Sequence, residues 1–144
     1  MPKLSIVVPV YYNEDNLRPL YADLKEKLLD RDNPFDVEIV MVDDGSGDRS
    51  YQVMEELKAQ DERIHIYHLS RNFGSDAAVL CGLVQSTGDC AVVKCADLQE
   101  PTEMIYDMYE KWAEGNNVVL AVRGELAGVR IGIAQHIAGK LHDH

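Results

Sequence analysis

The residues best suited to chemistry lie in short polar segments that follow apolar runs. In the clearest case, the β-branched run at residues 91–94 is followed by Asp97, Gln99 and Glu100, and Pro101 then opens a segment with helical periodicity. Carboxylate and amide groups in this position would lie at the carboxyl end of a strand, where open α/β sheets bind their ligands. We therefore regard this segment as a candidate binding or catalytic site.

Three more polar segments have the same placement. Residues 11–16, 43–48 and 70–76 follow the predicted strands at residues 4–10, 37–42 and 64–69. Strands that alternate with helices predict a mainly parallel sheet with helices on both faces. Because the carboxyl ends of parallel strands meet at one edge, we expect the polar segments to gather there and form an enzyme site for a nucleotide-linked substrate.

Helical patterns between the strands complete the predicted fold. Apolar residues recur at helical spacing in residues 17–28, 51–57 and 105–112. Residues 77–86 are apolar nearly all round, which predicts a buried helix. A fifth strand is predicted at residues 118–122, and residues 130–141 could form a last helix.

The composition indicates one globular domain. The chain has 144 residues and a formal net charge of -11, and this acidity argues against non-specific nucleic-acid binding. It has three cysteines and no pattern of a secretory signal, so we expect a reducing, cytoplasmic compartment rather than a disulfide framework. No apolar run approaches the roughly 20 residues that a membrane-spanning helix needs.

Four motifs occur in the order seen in family 2 glycosyltransferases. They read VVPVYYNE at residues 7–14, VDDGS at 42–46, RNFG at 71–74 and ADLQEP at 96–101. Over about residues 4–123 the chain resembles this family, and more narrowly the polyprenyl-phosphate (dolichol-phosphate-mannose synthase-like) glycosyltransferases. The resemblance implies the GT-A fold, a Rossmann-like fold that binds a nucleotide-diphosphate sugar. Residues 1–123 would form that domain, and residues 124–144 a C-terminal helical segment.

The resemblance also implies which residues bind the nucleoside. Pro9, Tyr11 and Glu14 would border the base and ribose. Asp44 would hydrogen-bond the base or ribose, and Ser46 belongs to the same substrate-binding set. The residues alone leave an alternative open, because Asp44 could simply cap the turn that follows it.

The catalytic and metal-binding roles follow from the same resemblance. Asp97 matches the second acid of the family's Asp-x-Asp motif and would hold a Mg²⁺ or Mn²⁺ ion that bridges two phosphates. Gln99 would be a further ligand, although it could instead only begin the next helix, and Arg123 would face phosphate. Hard oxygen ligands suit these ions, and the ion would neutralise charge on the departing diphosphate.

The sequence departs from the family pattern in four ways. Cys95 occupies the position of the first acid of Asp-x-Asp, and a soft thiol is a poor Mg²⁺ ligand. Ser75 stands where close relatives often have a basic residue, and Tyr12 lengthens the first loop by one residue. The chain ends soon after Arg123, so we expect either a fragment or a protein that needs a partner for its chemistry.

These observations predict a glycosyltransferase that takes its sugar from a nucleotide-diphosphate sugar. The implied acceptor is a polyprenyl phosphate at a membrane surface, reached through segments that this chain lacks. An alternative from another class is a non-catalytic or truncated module that binds a nucleotide or a partner chain. A receiver-like signalling domain would use Asp43 and Asp44, but the loop at residues 70–72 supplies no phosphoacceptor aspartate. Self-association into a homo-oligomer stays open.

Overall fold

The computed structural model describes residues 1–97, 101–116, 119–123 and 129–133. Its elements, in chain order, are β1 (Lys3–Val10), α1 (Leu17–Leu24), a π-helical turn (Lys25–Leu29), β2 (Asp36–Asp43), α2 (Ser50–Gln60), β3 (Ile64–His68), α3 (Ser75–Gln85), β4 (Cys90–Val93), α4 (Met104–Ala113), β5 (Val119–Arg123) and β6 (Val129–Ile133). The chain divides into two compact units, Met1–Thr102 and Glu103–His144. No helix within the described segments is long and apolar enough to cross a membrane.

The first unit is built on a four-stranded sheet. The strand order is β3-β2-β1-β4, and all three pairings are parallel, with Val7 of β1 opposite Val40 of β2 and Val93 of β4. Ile6, Val7 and Val8 are fully buried, as a continuous apolar run in a covered parallel sheet requires. The predicted parallel sheet is confirmed.

The handedness of the connections between its parallel strands places helices on both faces of this sheet. The chain moves from β1 through β2 to β3 in one direction and then returns across the sheet to β4. Right-handed crossovers therefore put α1 and α2 on one face and α3 on the other. α3 lies close to the sheet because Gly82 has no side chain, and a Cβ there would overlap Cγ1 of Val7.

The prediction that the third helix is buried all round was wrong. Only Ala78 and Gly82 of α3 are buried, whereas Leu80 is 63% exposed and Val84 is 71% exposed. The helix is apolar in composition, as the sequence indicates. Burial also needs a cover on every side, and the sheet covers only one side of α3.

The second unit contains α4 and an antiparallel pair of strands. β5 and β6 pair with Val119 opposite Ile133 and Arg123 opposite Val129. The helix predicted around residues 105–112 is confirmed. The last helix was predicted to begin at residue 130, but residues 129–133 are strand β6 because Val129, Ile131 and Ile133 alternate with period two. Residues 134–141 lie outside the described segments, and the domain boundary at residue 123 stays a prediction.

Candidate functional site

A cavity of about 270 Å³ lies at the carboxyl edge of the four-stranded sheet. It collects residues from the segments that follow β1, β2, β3 and β4, as the sequence predicts for a shared site. The lining residues are Pro9, Val10, Tyr11, Asn13, Asp44, Asn72, Gly74, Ser75, Ala78, Cys95, Ala96 and Asp97.

The loop after β1 is held in place by the loop after β2 and the start of α2. Three successive backbone N–H groups donate to side-chain oxygens there: Tyr12 to Ser46 Oγ at 2.9 Å, Asn13 to Ser50 Oγ at 2.9 Å and Glu14 to Asp48 Oδ2 at 3.4 Å. Tyr12 has a positive φ of 53°. The hydrogen bond from its N–H to Ser46 Oγ helps to stabilise that unusual backbone conformation.

Asp48 serves both loops. Its Oδ1 accepts the backbone N–H of Ser50, the first residue of α2, at 2.9 Å, whereas the N-cap position itself is Arg49, whose side chain makes no capping hydrogen bond. Burial raises the pKa of the Asp48 carboxyl, but hydrogen bonds from Ser50 and from the Glu14 N–H outweigh burial and hold that pKa below its usual value.

The carboxylate of Asp44 fixes the loop after β3. Asp44 is only 2% exposed. Its Oδ1 accepts the backbone N–H of Phe73 at 2.8 Å, and its Oδ2 accepts the N–H of Gly74 at 3.1 Å and the Asn72 Nδ2 at 3.3 Å. Asp44 thus borders the cavity while most of its acceptor capacity is used within the protein. Its predicted contact with base or ribose stays a prediction.

Gly45 brings the loops after β2 and β3 into contact. It has a φ of +73°, and a Cβ on it would overlap the carbonyl carbon of Arg71 and lie 2.5 Å from the backbone nitrogen of Asn72. Both the conformation and the close approach therefore require glycine. In the same loop, the Arg71 guanidinium lies 4.6 Å from the centre of the Phe73 ring.

The aromatic wall of the cavity comes from Tyr11. Tyr11 is 48% exposed as a residue, and its ring makes an edge-to-face contact with the Tyr12 ring at 4.7 Å between centroids. The backbone N–H of Tyr11 donates to Oδ1 of Asn13 at 2.8 Å, which closes a tight local turn. An exposed aromatic face beside polar groups is suited to a planar ring of a ligand.

Cys95 and Asp97 line the cavity from the segment after β4, and both are exposed. Nowhere in the described segments do three His, Cys, Asp or Glu side chains form a group that could hold a metal ion. Mg²⁺ and Mn²⁺ commonly use one or two carboxylates and complete their coordination with substrate phosphates and water. The Asp97 carboxylate fits an ion shared with a bound diphosphate, and the Cys95 thiol does not add a hard ligand.

The structure therefore brings together only part of the predicted site. Pro9, Tyr11, Asp44 and Asp97 line one cavity, whereas Glu14 and Ser46 do not line it. Gln99 lies outside the described residues. Arg123 ends β5 in the second unit, and its predicted contact with phosphate stays a prediction.

Sequence reasoning missed two asparagines of this cavity, Asn13 and Asn72. Asn13 directs its side chain to the Tyr11 amide, and Asn72 donates to the Asp44 carboxylate and backbone oxygen. Asparagine is enriched in turns because its side chain bonds to nearby backbone groups. That preference was the available signal, since both residues lie in polar segments that follow predicted strands.

Comparison with known proteins gives matches over most of the chain. The model of Glycosyl transferase family 2 matches residues 5–136. The uncharacterized glycosyltransferase YkcC of Bacillus subtilis (strain 168) is 44% identical over 124 residues, which is 86% of this chain and 38% of that protein. The bactoprenol glucosyl transferase of Shigella phage SfX is 36% identical over 123 residues, 85% of this chain and 40% of that protein. The chain thus spans about two fifths of the length of these curated relatives.

Solved structures share the fold. S. aureus TarS 1-349 in complex with UDP-GlcNAc superposes with a TM-score of 0.69 and 23% identity, covering 89% of this chain and 37% of that chain. The mannosyltransferase PcManGT from Pyrobaculum calidifontis, in complex with GDP-Man and Mn²⁺, gives a TM-score of 0.68 and 21% identity, covering 82% of this chain and 34% of that chain. The expected GT-A fold is confirmed.

Proposed function

We propose, from the premise that this chain belongs to glycosyl transferase family 2, that it binds the nucleotide-diphosphate sugar donor for a glycosyl transfer. The observation that carries the proposal is the single cavity in which Tyr11, Asp44 and Asp97 come together from three separate strand ends. A donor has an aromatic base, a ribose and a diphosphate. The cavity offers an aromatic ring, a fixed loop and an exposed carboxylate in the same space.

Each of these residues has a distinct task in the proposed reaction. The Tyr11 ring packs against the base, and Asp44 keeps the backbone of residues 72–74 in the shape that borders the nucleoside. Asp97 would hold a divalent ion and so help to orient the diphosphate. That ion, when bound, would neutralise the charge that develops on the departing diphosphate. Catalysis of this kind is positioning and electrostatic stabilisation, and it needs no covalent intermediate on the protein.

We propose a polyprenyl phosphate as the acceptor and inversion at the sugar carbon as the stereochemical course. The names of relatives support this acceptor, since they include a bactoprenol glucosyl transferase and the undecaprenyl-phosphate 4-deoxy-4-formamido-L-arabinose transferase of Pseudomonas aeruginosa (strain LESB58), which is 39% identical over 123 residues. Such an acceptor places the reaction at the cytoplasmic surface of a membrane.

A thermal-unfolding panel tests donor binding. UDP, GDP, dTDP and their sugar conjugates are added at millimolar concentration, each with and without Mn²⁺. A ligand that binds only the folded protein stabilises it by about 2.7 kcal/mol at a concentration 100 times its Kd. We expect one base to raise the melting temperature, and to raise it further with Mn²⁺. No shift with any nucleotide would falsify the proposal.

Cys95 favours a second candidate, a module that binds nucleotide without turnover. Its exposed thiol lines the cavity where a hard ligand would suit the metal ion. Under this hypothesis the Cys95→Asp variant gains Mn²⁺-dependent nucleotide affinity, and the matched Cys95→Ser variant does not. Equal affinities for the wild type and Cys95→Asp would count against a defect caused by the thiol.

A further inference from the structure

Tyr12 has a backbone conformation that aromatic residues rarely adopt. Among the residues that the structure describes, it is the only non-glycine residue with a positive φ. Its two chain neighbours, Tyr11 and Asn13, line the cavity, but Tyr12 itself does not. Strained conformations of this kind persist only where the surrounding structure fixes them, and they cluster at binding sites. The contacts of Tyr12 therefore show what its conformation holds in place.

The loop after β2 fixes both the backbone and the side chain of Tyr12. Its backbone N–H donates to Ser46 Oγ at 2.9 Å. Its phenol hydroxyl lies against Gly47, where an added Cβ would overlap the hydroxyl oxygen. The loop itself is anchored to the end of β2, because the Ser46 N–H is 3.4 Å from each carboxylate oxygen of the buried Asp43. Tyr12 thus has a fixed place although it is 56% exposed.

The ring of Tyr12 in turn supports the ring of Tyr11. The two ring planes stand at 87° to each other with 4.7 Å between centroids, which is a favourable edge-to-face geometry. A side chain as exposed as that of Tyr11 keeps much of its rotamer freedom unless a neighbour restricts it. The bond from the Tyr11 N–H to Asn13 Oδ1 fixes the backbone, while the contact with the Tyr12 ring restricts the side chain.

We infer that Tyr12 is a positioning residue that holds the ring of Tyr11 in the rotamer that packs against the base of the donor. The inference rests on the proposed donor binding. Tyr12 does not line the cavity, so it acts through Tyr11 rather than on the donor. When the ring of Tyr11 is already ordered in the free protein, the entropy cost of immobilising it is met in folding rather than in binding. The affinity for a nucleotide whose base packs on Tyr11 is raised accordingly.

The test is a double-mutant cycle between the two tyrosines. Tyr12→Asn removes the ring with a residue that tolerates a positive φ, and Tyr12→Phe keeps the ring. Both substitutions are made in the wild type and in Tyr11→Ala. The matched control, Tyr51→Asn, removes the similar edge-to-face pair of Tyr51 and His68, with 4.6 Å between centroids, and neither of these residues lines the cavity.

Two quantities are measured. Calorimetric titration gives the affinity for whichever of UDP, GDP and dTDP the wild type binds most tightly in the presence of Mn²⁺. In the free protein, three-bond NMR couplings from the backbone nitrogen and carbonyl carbon to Cγ of Tyr11 report whether its χ1 angle occupies one rotamer or several. The second quantity does not depend on any ligand.

We expect Tyr12→Asn to lower the affinity by about fivefold, the order of the cost of immobilising one side chain on binding, and to give averaged couplings at Tyr11. Tyr12→Phe and Tyr51→Asn should keep the wild-type affinity and a single Tyr11 rotamer. In the Tyr11→Ala background, Tyr12→Asn should cause no further loss, because the residue through which it acts is gone.

The same fold-loss from Tyr12→Asn in both backgrounds would mean that Tyr12 only joins the two loops, and it would overturn the inference. A single Tyr11 rotamer in Tyr12→Asn would overturn it as well. If the wild type binds none of the three nucleotides, donor binding itself fails, and the couplings alone decide whether Tyr12 positions the ring of Tyr11.

Discussion

At the amino end of the four-stranded sheet one carboxylate is enclosed by donors, whereas at the carboxyl end two carboxylates border an open cavity. Glu38, in β2, is 2% exposed. It accepts hydrogen bonds from Ser5 Oγ at 2.6 Å and from the Thr87 N–H and hydroxyl at 2.6 and 3.0 Å, and its Oε2 lies 3.3 Å from Lys3 Nζ. His65 Nε2 approaches the same oxygen at 3.5 Å.

The difference lies in what the carboxylates hold. Glu38 is bound mainly by side chains and by the backbone N–H of Thr87. It therefore joins β1, β2 and the segment after α3 into one network. Asp44 instead accepts backbone N–H groups of Phe73 and Gly74, which shapes a loop without filling the space beside it. A carboxylate therefore joins neighbouring elements at one end of the sheet, in Glu38. At the other end, in Asp44, it fixes the shape of a loop beside the cavity.

The largest loss of stability is expected when the hydrogen-bond network around Glu38 is removed. Glu38→Ala leaves the Ser5 hydroxyl and the Thr87 N–H without their acceptor, and we expect a loss of about 3 kcal/mol in the free energy of unfolding. Urea denaturation measures it. The control is Glu56→Gln, which removes the exposed pair of Arg18 and Glu56 and should cost less than about 1 kcal/mol. Equal losses in the two variants would mean that the network contributes no more than a surface ion pair.

Disturbing the contact between the loops after β2 and β3, at the carboxyl end of the sheet, should reduce stability nearly as much. Gly45→Ala adds a Cβ that overlaps the Arg71 backbone at a positive φ, and we expect about 2 kcal/mol of destabilisation together with weaker nucleotide binding. Gly115→Ala is the matched control, because Gly115 also has a positive φ of 106° but no atom of the described residues lies within 4 Å of its Cβ position. It should cost about 1 kcal/mol. The same loss in both variants would show that the close approach to Arg71 is unimportant.

A smaller change is expected from Asp44→Asn, because the shape of the side chain is kept. An amide has one acceptor oxygen in place of two, so either the Phe73 or the Gly74 N–H loses its partner. We expect nucleotide affinity to fall about tenfold, equivalent to about 1.4 kcal/mol, as measured by calorimetric titration. Asp76→Asn removes the same charge from the first turn of α3, at a residue that does not line the cavity, and should bind as the wild type does.

The smallest expected effect is the contribution of Glu38 to the pH dependence of stability. Burial raises the pKa of Glu38, but the hydrogen bonds from Ser5 and Thr87 and the charge of Lys3 outweigh it and lower that pKa from 4.5 to about 2. Between these values the unfolded chain binds the proton more readily than the folded chain, so stability falls as the pH decreases from about 4.5 to about 2. Denaturation at several pH values should show a shallower acid slope for Glu38→Gln. The same slope in the wild type and in Glu38→Gln would contradict the conclusion that the low pKa of Glu38 contributes to the loss of stability in acid.

The sequence predicted the alternation of strands and helices and the gathering of polar loops, because both follow from local patterns and from parallel topology. It did not predict the task of Asp44, since that depends on the backbone of Gly74, which is 30 positions away. Glu38 did carry a signal, as a charged residue between Val37 and Ile39 in a strand predicted to be covered. Its partners could not be read from the chain, because Ser5 and Thr87 become neighbours only in the folded sheet.

Three successive backbone N–H groups join the loop after β1 by hydrogen bonds to the loop after β2 and the start of α2, and this has a consequence for the evolution of this surface. Tyr12, Asn13 and Glu14 each depend on an oxygen from a segment more than 30 positions away. An insertion or deletion in the first loop would move all three donors out of register at once. Lengths and polar residues of the two loops are therefore expected to covary among homologues, so that exchanging the first loop between two members would require transplanting its counterpart as well.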